Sequence, residues 1–188
     1  MQHNEQQNRP AVVIPVYNHA ATAAQVAREV RRLGYRVFVV DDGSTDETHE
    51  RLAGVSGITV LRHPKNEGKG AAILTGLLAA SNVADYAATL DADGQHYPED
   101  IRRLVDAVAS GARPLVVGAR EGMTAGEGAH IPWTSRFGRK FSNFWVWVSG
   151  GPRLSDSQSG MRLYPLPEAL SLPVRARRFQ FEVEILVR

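Results

Sequence analysis

The chain has 188 residues, 43% of them hydrophobic, with a formal net charge of +2 and no cysteine. That length and apolar content suit one domain with a sizeable core and exclude wholesale disorder. The small net charge makes no demand for nucleic acid, and the lack of cysteine excludes disulfides, thiolate metal sites and a cysteine nucleophile.

No run reaches the roughly 18 apolar residues needed to span a bilayer, and Met1 to Arg9 carries no signal-peptide core. The expected location is therefore cytoplasmic. Basic residues gather late, at Arg136, Arg139, Lys140, Arg153, Arg162, Arg175, Arg177, Arg178 and Arg188. Such a surface could meet phosphates or an anionic membrane face.

Ala11 to Val16 is a near-continuous apolar run rich in β-branched residues, which predicts a strand buried on both faces. Asn18 is placed to cap a helix with apolar positions at Ala23, Val26, Ala27, Val30 and Leu33, stopped by Gly34. A second buried strand, Arg36 to Val40, runs into Asp41-Asp42-Gly43-Ser44, where Ser44 and Glu47 have capping-box spacing. Ile58 to Leu61 forms a third strand, and Asn66-Glu67-Gly68-Lys69-Gly70 then opens a helix carrying Ala71, Leu74, Leu77 and Leu78. The fourth strand, Tyr86 to Leu90, precedes a helix from Pro98 that buries Ile101, Leu104, Val105 and Val108, and Pro114 to Gly118 is a fifth strand.

Ala119 to Ile131 is glycine-rich and aperiodic, a mobile loop by expectation. Trp133, Phe137, Phe141, Phe144, Trp145 and Val148 follow at helical spacing, either as a core-facing stripe or, with Trp147 and the nearby basic residues, as a surface that touches lipid. Asp156 to Tyr164 reads as loop then strand, and Phe179 to Arg188 has helical character. The alternation of buried strands and amphipathic helices predicts an α/β domain with a largely parallel sheet. Ligands of such sheets bind beyond the carboxyl ends of the strands, where Tyr17, Asp41, Asp42, Asn66, Lys69, Asp91, Asp93 and Arg120 fall.

Asp91-Ala92-Asp93-Gly94-Gln95-His96 stands at one of those ends. In extended backbone, residues i and i+2 point the same way, about 6 to 7 Å apart, so Asp91 and Asp93 can converge on one cation. All-oxygen ligands suit Mg²⁺ or Mn²⁺, with Gln95 as a neutral third ligand. Asp41 and Asp42 either cap the next helix or accept hydrogen bonds from a nucleotide base. The backbone N–H groups at 66–70, with Lys69, could hold a phosphate. Arg120 and Arg162 are either ordinary surface arginines or neutralise a diphosphate. His19, His49, His63 and His130 have no metal-ligand spacing and read as structural or solvated. Gly-x-x-x-x-Gly-Lys-Ser/Thr is absent, and the first strand does not lead into Gly-x-Gly-x-x-Gly.

Five segments, 12–18, 40–46, 66–70, 91–96 and 156–162, stand in the order and spacing of the family 2 glycosyltransferases. The chain more narrowly resembles the dolichyl-phosphate mannosyltransferase and polyprenyl-phosphate branch, from Ala11 to Arg188. The resemblance implies a GT-A (Rossmann-like) fold, a single catalytic domain over 1–188 with a flexible 1–10, and inverting transfer from a UDP- or GDP-sugar to a polyprenyl-phosphate or other glycan or lipid acceptor. It further implies peripheral contact with the membrane's inner face. Pro15, Tyr17, Asn18, Asp42 and Asp41 would serve the nucleoside end, and Asn66, Lys69, Arg120 and Arg162 the phosphates. Asp91, Asp93 and Gln95 would hold the metal. Asp156 would be the general base or, with an anionic lipid-phosphate acceptor, an orienting group. Met161 replaces the usual Phe, and family members usually continue past the point where this chain ends, so the C-terminus reads as cut short. The first alternative is a nucleotide-sugar-binding but inactive truncated transferase fragment; the enzyme alternative is a haloacid-dehalogenase-like phosphatase, because Leu90-Asp91-Ala92-Asp93-Gly94 imitates its loop, but Gln95 stands where that family needs threonine.

Overall fold

The computed structural model describes residues 9–109, 111–119 and 159–188. Arg120, Asp156, most of the 119–131 loop and the aromatic segment 133–148 lie outside the described residues. The elements run β1 (Ala11–Val16), α1 (Ala23–Arg32), β2 (Arg36–Asp41), α2 (Thr48–Ala53), β3 (Ile58–Arg62), α3 (Lys69–Ala80) and β4 (Tyr86–Thr89). They continue as α4 (Asp100–Asp106), β5 (Val116–Val117), β6 (Arg162–Pro165), α5 (Leu166–Ser171) and α6 (Phe181–Glu184).

Six strands form one sheet in the order β3-β2-β1-β4-β6-β5. β1 pairs in parallel with β2 and β4, and β2 with β3. β6 lies antiparallel between β4 and β5. Five strands therefore share one direction and β6 alone opposes them, so the sheet is largely parallel, as expected, with one reversed strand. The reversal brings the start of β6 to the same edge as the ends of β1, β2 and β4.

Continuous apolar strands need cover on both faces, and the helices supply it. Val12, Ile14 and Val16 project into a core with Val26, Ala27 and Val30 of α1, Leu52 of α2, and Ile101 and Leu104 of α4. Ala11 and Val13 project the other way, against Ile73 and Leu77 of α3, Leu166 of α5 and Phe181 of α6. Gly76 lets α3 lie directly on the sheet, since a Cβ there would collide with Val13. Full burial of each such aliphatic side chain stabilises the fold by roughly 1.5–3 kcal/mol.

Three local expectations are corrected. Asn18 does not cap α1, which begins after Thr22. Ser44 and Glu47 form no capping box at α2: the Glu47 side chain makes no cap bond, Asp46 Oδ1 accepts the Thr48 N–H at 3.0 Å, and Ser44 Oγ instead accepts the Asn18 N–H at 3.0 Å. Leu78 is exposed at 62%, whereas Ala71 and Leu77 are buried as the pattern suggests, and Ile73 joins them.

Candidate active site

The carboxyl edge of the sheet is built from loops clamped to one another. Odd-numbered residues of β1 face β4, as the Leu90 N–H donating to the Val13 carbonyl shows, and that ladder's last register pair is Val13 with Thr89. Pro15, which lacks an N–H, therefore sits past the point where one would be used. Beyond it Tyr17 is exposed, and Asn18 takes a left-handed φ of 55°. The Asn18 Oδ1 accepts the Thr45 N–H at 2.8 Å, which ties the loop after β1 to the loop after β2.

The first acidic pair is turned into the protein. Asp42 is 2% exposed. Its Oδ1 accepts the Glu67 N–H at 2.9 Å and lies 2.7 Å from His63 Nδ1, while Oδ2 accepts the Gly68 N–H at 2.8 Å. An ionised carboxylate only accepts, so Nδ1 carries the shared proton. His63 also reaches Thr75 Oγ1 at 2.9 Å and is structural, as expected. Asp41 is fully buried. Its Oδ1 accepts the Ser44 N–H at 2.8 Å, and Oδ2 lies 3.3 Å from Arg62 Nε and 3.4 Å from His49 Nδ1 without a directed hydrogen bond.

This arrangement takes two amides out of the cradle expected at 66–70. The Glu67 and Gly68 N–H groups are spent on Asp42, and the Ala71 N–H donates to the Arg177 carbonyl at 2.8 Å. The Lys69 side chain and the remaining amides of 66–70 are what this loop offers a phosphate.

The second acidic pair is placed differently. Asp91 follows β4, and its side chain retains 25% exposure. Its Oδ1 lies 2.8 Å from Lys69 Nζ, and its Oδ2 is 3.9 Å from His96 Nε2. Gly160 presses on this carboxylate, so a Cβ at 160 would overlap it. Thr89 Oγ1 donates to the Gly160 carbonyl at 2.8 Å, and Thr22 Oγ1 donates to the Ala92 carbonyl at 2.6 Å, fixing the loop from both sides. Asp93 Oδ1 accepts the Gln95 N–H at 2.9 Å, with Gly94 at φ 77° completing the turn.

Lys69 bridges Asp91 to a residue the sequence reading passed over. Glu182 of α6 is 6% exposed, with Oε1 3.2 Å from Lys69 Nζ. Burial on its own would lower the Lys69 pKa, but the carboxylates of Asp91 and Glu182 more than offset it and hold the ammonium above the usual lysine value. The one available signal was an acid inside the apolar stretch Phe181 to Val187.

Arg162 is also not a surface residue. It is fully buried, its Nε donates to the Ser159 carbonyl at 2.9 Å, and its Nη1 donates to the Glu182 carbonyl. Beside it, burial pushes the Tyr164 phenol up. Met161 is buried at 5%, and its carbonyl accepts the Gly118 N–H at 2.9 Å.

Among the described residues no group of three or more His, Cys, Asp or Glu side chains forms a metal cage. Two carboxylates on one short turn are nevertheless the donor set suited to a hard cation whose coordination is completed by substrate phosphates and water. Asp91 and Asp93 fit that role. Asn66 and Gln95 stand exposed on their loops.

The six-stranded sheet with β6 reversed and helices on both faces has a GT-A-type fold. The chain belongs to glycosyl transferase family 2, whose family model matches residues 11–164. It is 30% identical over 196 residues to the UDP-N-acetylglucosamine–dolichyl-phosphate N-acetylglucosaminyltransferase of Methanococcus voltae, covering 94% of this chain and 78% of that protein. It is 31% identical over 164 residues to the polyprenol monophosphomannose synthase of Mycolicibacterium smegmatis, covering 83% of this chain and 61% of that one. The fold matches mannosyl-3-phosphoglycerate synthase from Rubrobacter xylanophilus with a TM-score of 0.67 at 18% identity, over 91% of this chain and 57% of that structure. The chain is thus a glycosyltransferase, and the phosphatase alternative falls. Among the described residues no helix is long and apolar enough to cross a membrane.

Proposed function

We propose that this chain transfers a sugar, with inversion, from a nucleoside diphosphate sugar to a polyprenyl phosphate, with a divalent cation at Asp91 and Asp93. The observation that carries the reading is the contrast at the carboxyl edge: Asp41 and Asp42 are closed off, whereas Asp91 stays partly exposed against Lys69. The named acceptors of the relatives, dolichyl phosphate and polyprenol, support a lipid-phosphate acceptor.

In the reaction a phosphate oxygen of the acceptor attacks the sugar's anomeric carbon as the bond from that carbon to the diphosphate oxygen breaks, and the nucleoside diphosphate leaves. The acceptor is already anionic at neutral pH, so the step needs orientation more than deprotonation. Asp156 is assigned that orienting role. When bound, the cation would supply Lewis-acid stabilisation of the leaving diphosphate. Lys69 and Arg120 are assigned to the donor phosphates. Pro15, Tyr17 and Asn18 are assigned to the nucleoside end, where the buried Asp41 and Asp42 hold the loops in place. Arg162 supports the site from below. The basic aromatic segment 133–148 is assigned to the membrane face where such an acceptor resides.

Calorimetric titration with UDP, GDP and their sugar conjugates, in Mn²⁺ or Mg²⁺ and again in EDTA, tests the donor half. Metal-dependent binding of one nucleotide class, followed by transfer of its labelled sugar to a polyprenyl phosphate, is the expected result. Donor hydrolysis without transfer would remove the acceptor assignment, and no nucleotide binding to folded protein would remove the reading.

A further inference from the structure

The Lys69 ammonium sits between two carboxylates that come from distant parts of the chain, Asp91 at the end of β4 and Glu182 in α6. Glu182 is held rigidly. Its carbonyl accepts from the buried Arg162, and the neighbouring Phe181 packs against Gly70 so closely that a Cβ there would overlap it. Its Oε1 is nevertheless buried without a directed hydrogen bond among the described residues, and Lys69 is the charge that faces it there. An uncompensated buried carboxylate is costly, which gives Glu182 a standing pull on that ammonium. Asp91 pulls the same ammonium from the other side. This lysine therefore touches two partners at once, the carboxylate a cation would need and a buried acid.

We infer that Lys69 is a resident cation for Asp91, and that Glu182 is the positioning residue that takes the ammonium over when a divalent cation and a donor diphosphate arrive. The inference rests on the metal assignment of the proposed function and extends it. Before the donor binds, the lysine neutralises Asp91 and competes with metal for it. Metal and nucleotide would then enter together, because the diphosphate's negative charge offsets the charge gathered when both cations are present. The device also ties the donor site to the segment 176–185, since Glu182 and the Arg177 carbonyl that accepts the Ala71 N–H both belong there.

Mn²⁺ alone, titrated into the nucleotide-free full chain and followed by its free-ion EPR signal, tests this. Lys69→Met should bind Mn²⁺ at least tenfold more tightly than the wild type, a gain that structural damage would not produce. Glu182→Gln should bind it several-fold more weakly, because the lysine is then left wholly to Asp91, while nucleotide binding in EDTA holds or improves. Lys69→Met leaves two acids facing each other and could fail to fold. The double variant Lys69→Met/Glu182→Gln removes one charge of each sign, keeps the local net charge, and should still gain Mn²⁺ affinity. Equal Mn²⁺ affinity in the wild type and the folded double variant would overturn the inference, as would an absence of Mn²⁺ binding in both. UDP and GDP titration of the wild type in the same preparation keeps the two readings apart. Nucleotide binding with no gain on losing Lys69 sinks the resident-cation role alone, whereas no nucleotide binding sinks the proposed function.

Discussion

Asp41 and Asp42 on one side of the site, and Asp91 and Asp93 on the other, are the same chemistry at the same edge of one sheet, with opposite fates. The first pair is buried, and its oxygens are engaged by the Ser44, Glu67 and Gly68 amides, His63 and Arg62. The second pair faces partly outward and meets one lysine, a turn amide and a distant histidine. Acids of the first kind build the loops that shape a ligand site. Acids of the second kind remain available to a ligand. Desolvation explains the division, because a carboxylate taken out of water must be repaid by donors from the protein, and once repaid it has little left to offer.

Substitutions at the two pairs should therefore fail in different ways. The largest effect is expected at Asp42→Ala, which strands the Glu67 and Gly68 amides and His63. It should lower unfolding free energy by about 3 kcal/mol or more, read from urea titration, and a loss below 1 kcal/mol would refute the structural assignment. Asp93→Ala should leave the urea midpoint nearly unchanged while lowering the transfer rate roughly a hundredfold and abolishing the metal dependence of nucleotide affinity. Metal-dependent binding that survives would remove Asp93 from the cation site.

Gly160→Ala sharpens the contrast. The new methyl must displace the Asp91 carboxylate, at a cost of about 1–3 kcal/mol, so metal-assisted nucleotide binding should weaken while binding in EDTA is spared; equal losses in both buffers would mean general damage.

A pH test follows from Lys69. Its pKa lies above the usual lysine value in the folded chain, so its pairing contributes in full below the unfolded value of about 10.4 and is lost as pH rises through the folded one. The stability difference between the wild type and Lys69→Met should hold steady from neutral pH and narrow only above about pH 10.5. Narrowing near neutrality would contradict the pairing. The smallest effect is expected at the exposed i,i+4 pair of Glu47 and Arg51, 2.8 Å apart. Arg51→Ala should change stability by less than about 0.5 kcal/mol.

Local pattern was enough for the α/β class, for β1 with both bounds, for the positions of α1, α3 and α4, and for the strand-end location of Asp41, Asp42 and Asp91. Buried strands and helix faces have periods that show in the chain itself. Local pattern was also enough for the family, because five motifs in register are a long-range constraint visible without coordinates. Only the tertiary structure decided that β6 runs backwards between β4 and β5, that Arg162 is buried, that Asn18 clamps a neighbouring loop instead of capping a helix, that Asp42 takes two of the amides offered to a phosphate, and that Glu182 shares Lys69 with Asp91. Each of these depends on what stands opposite a residue across a gap of tens to a hundred positions in the chain. An acid's type is written in the sequence, but its solvation and its partners are properties of the packed chain.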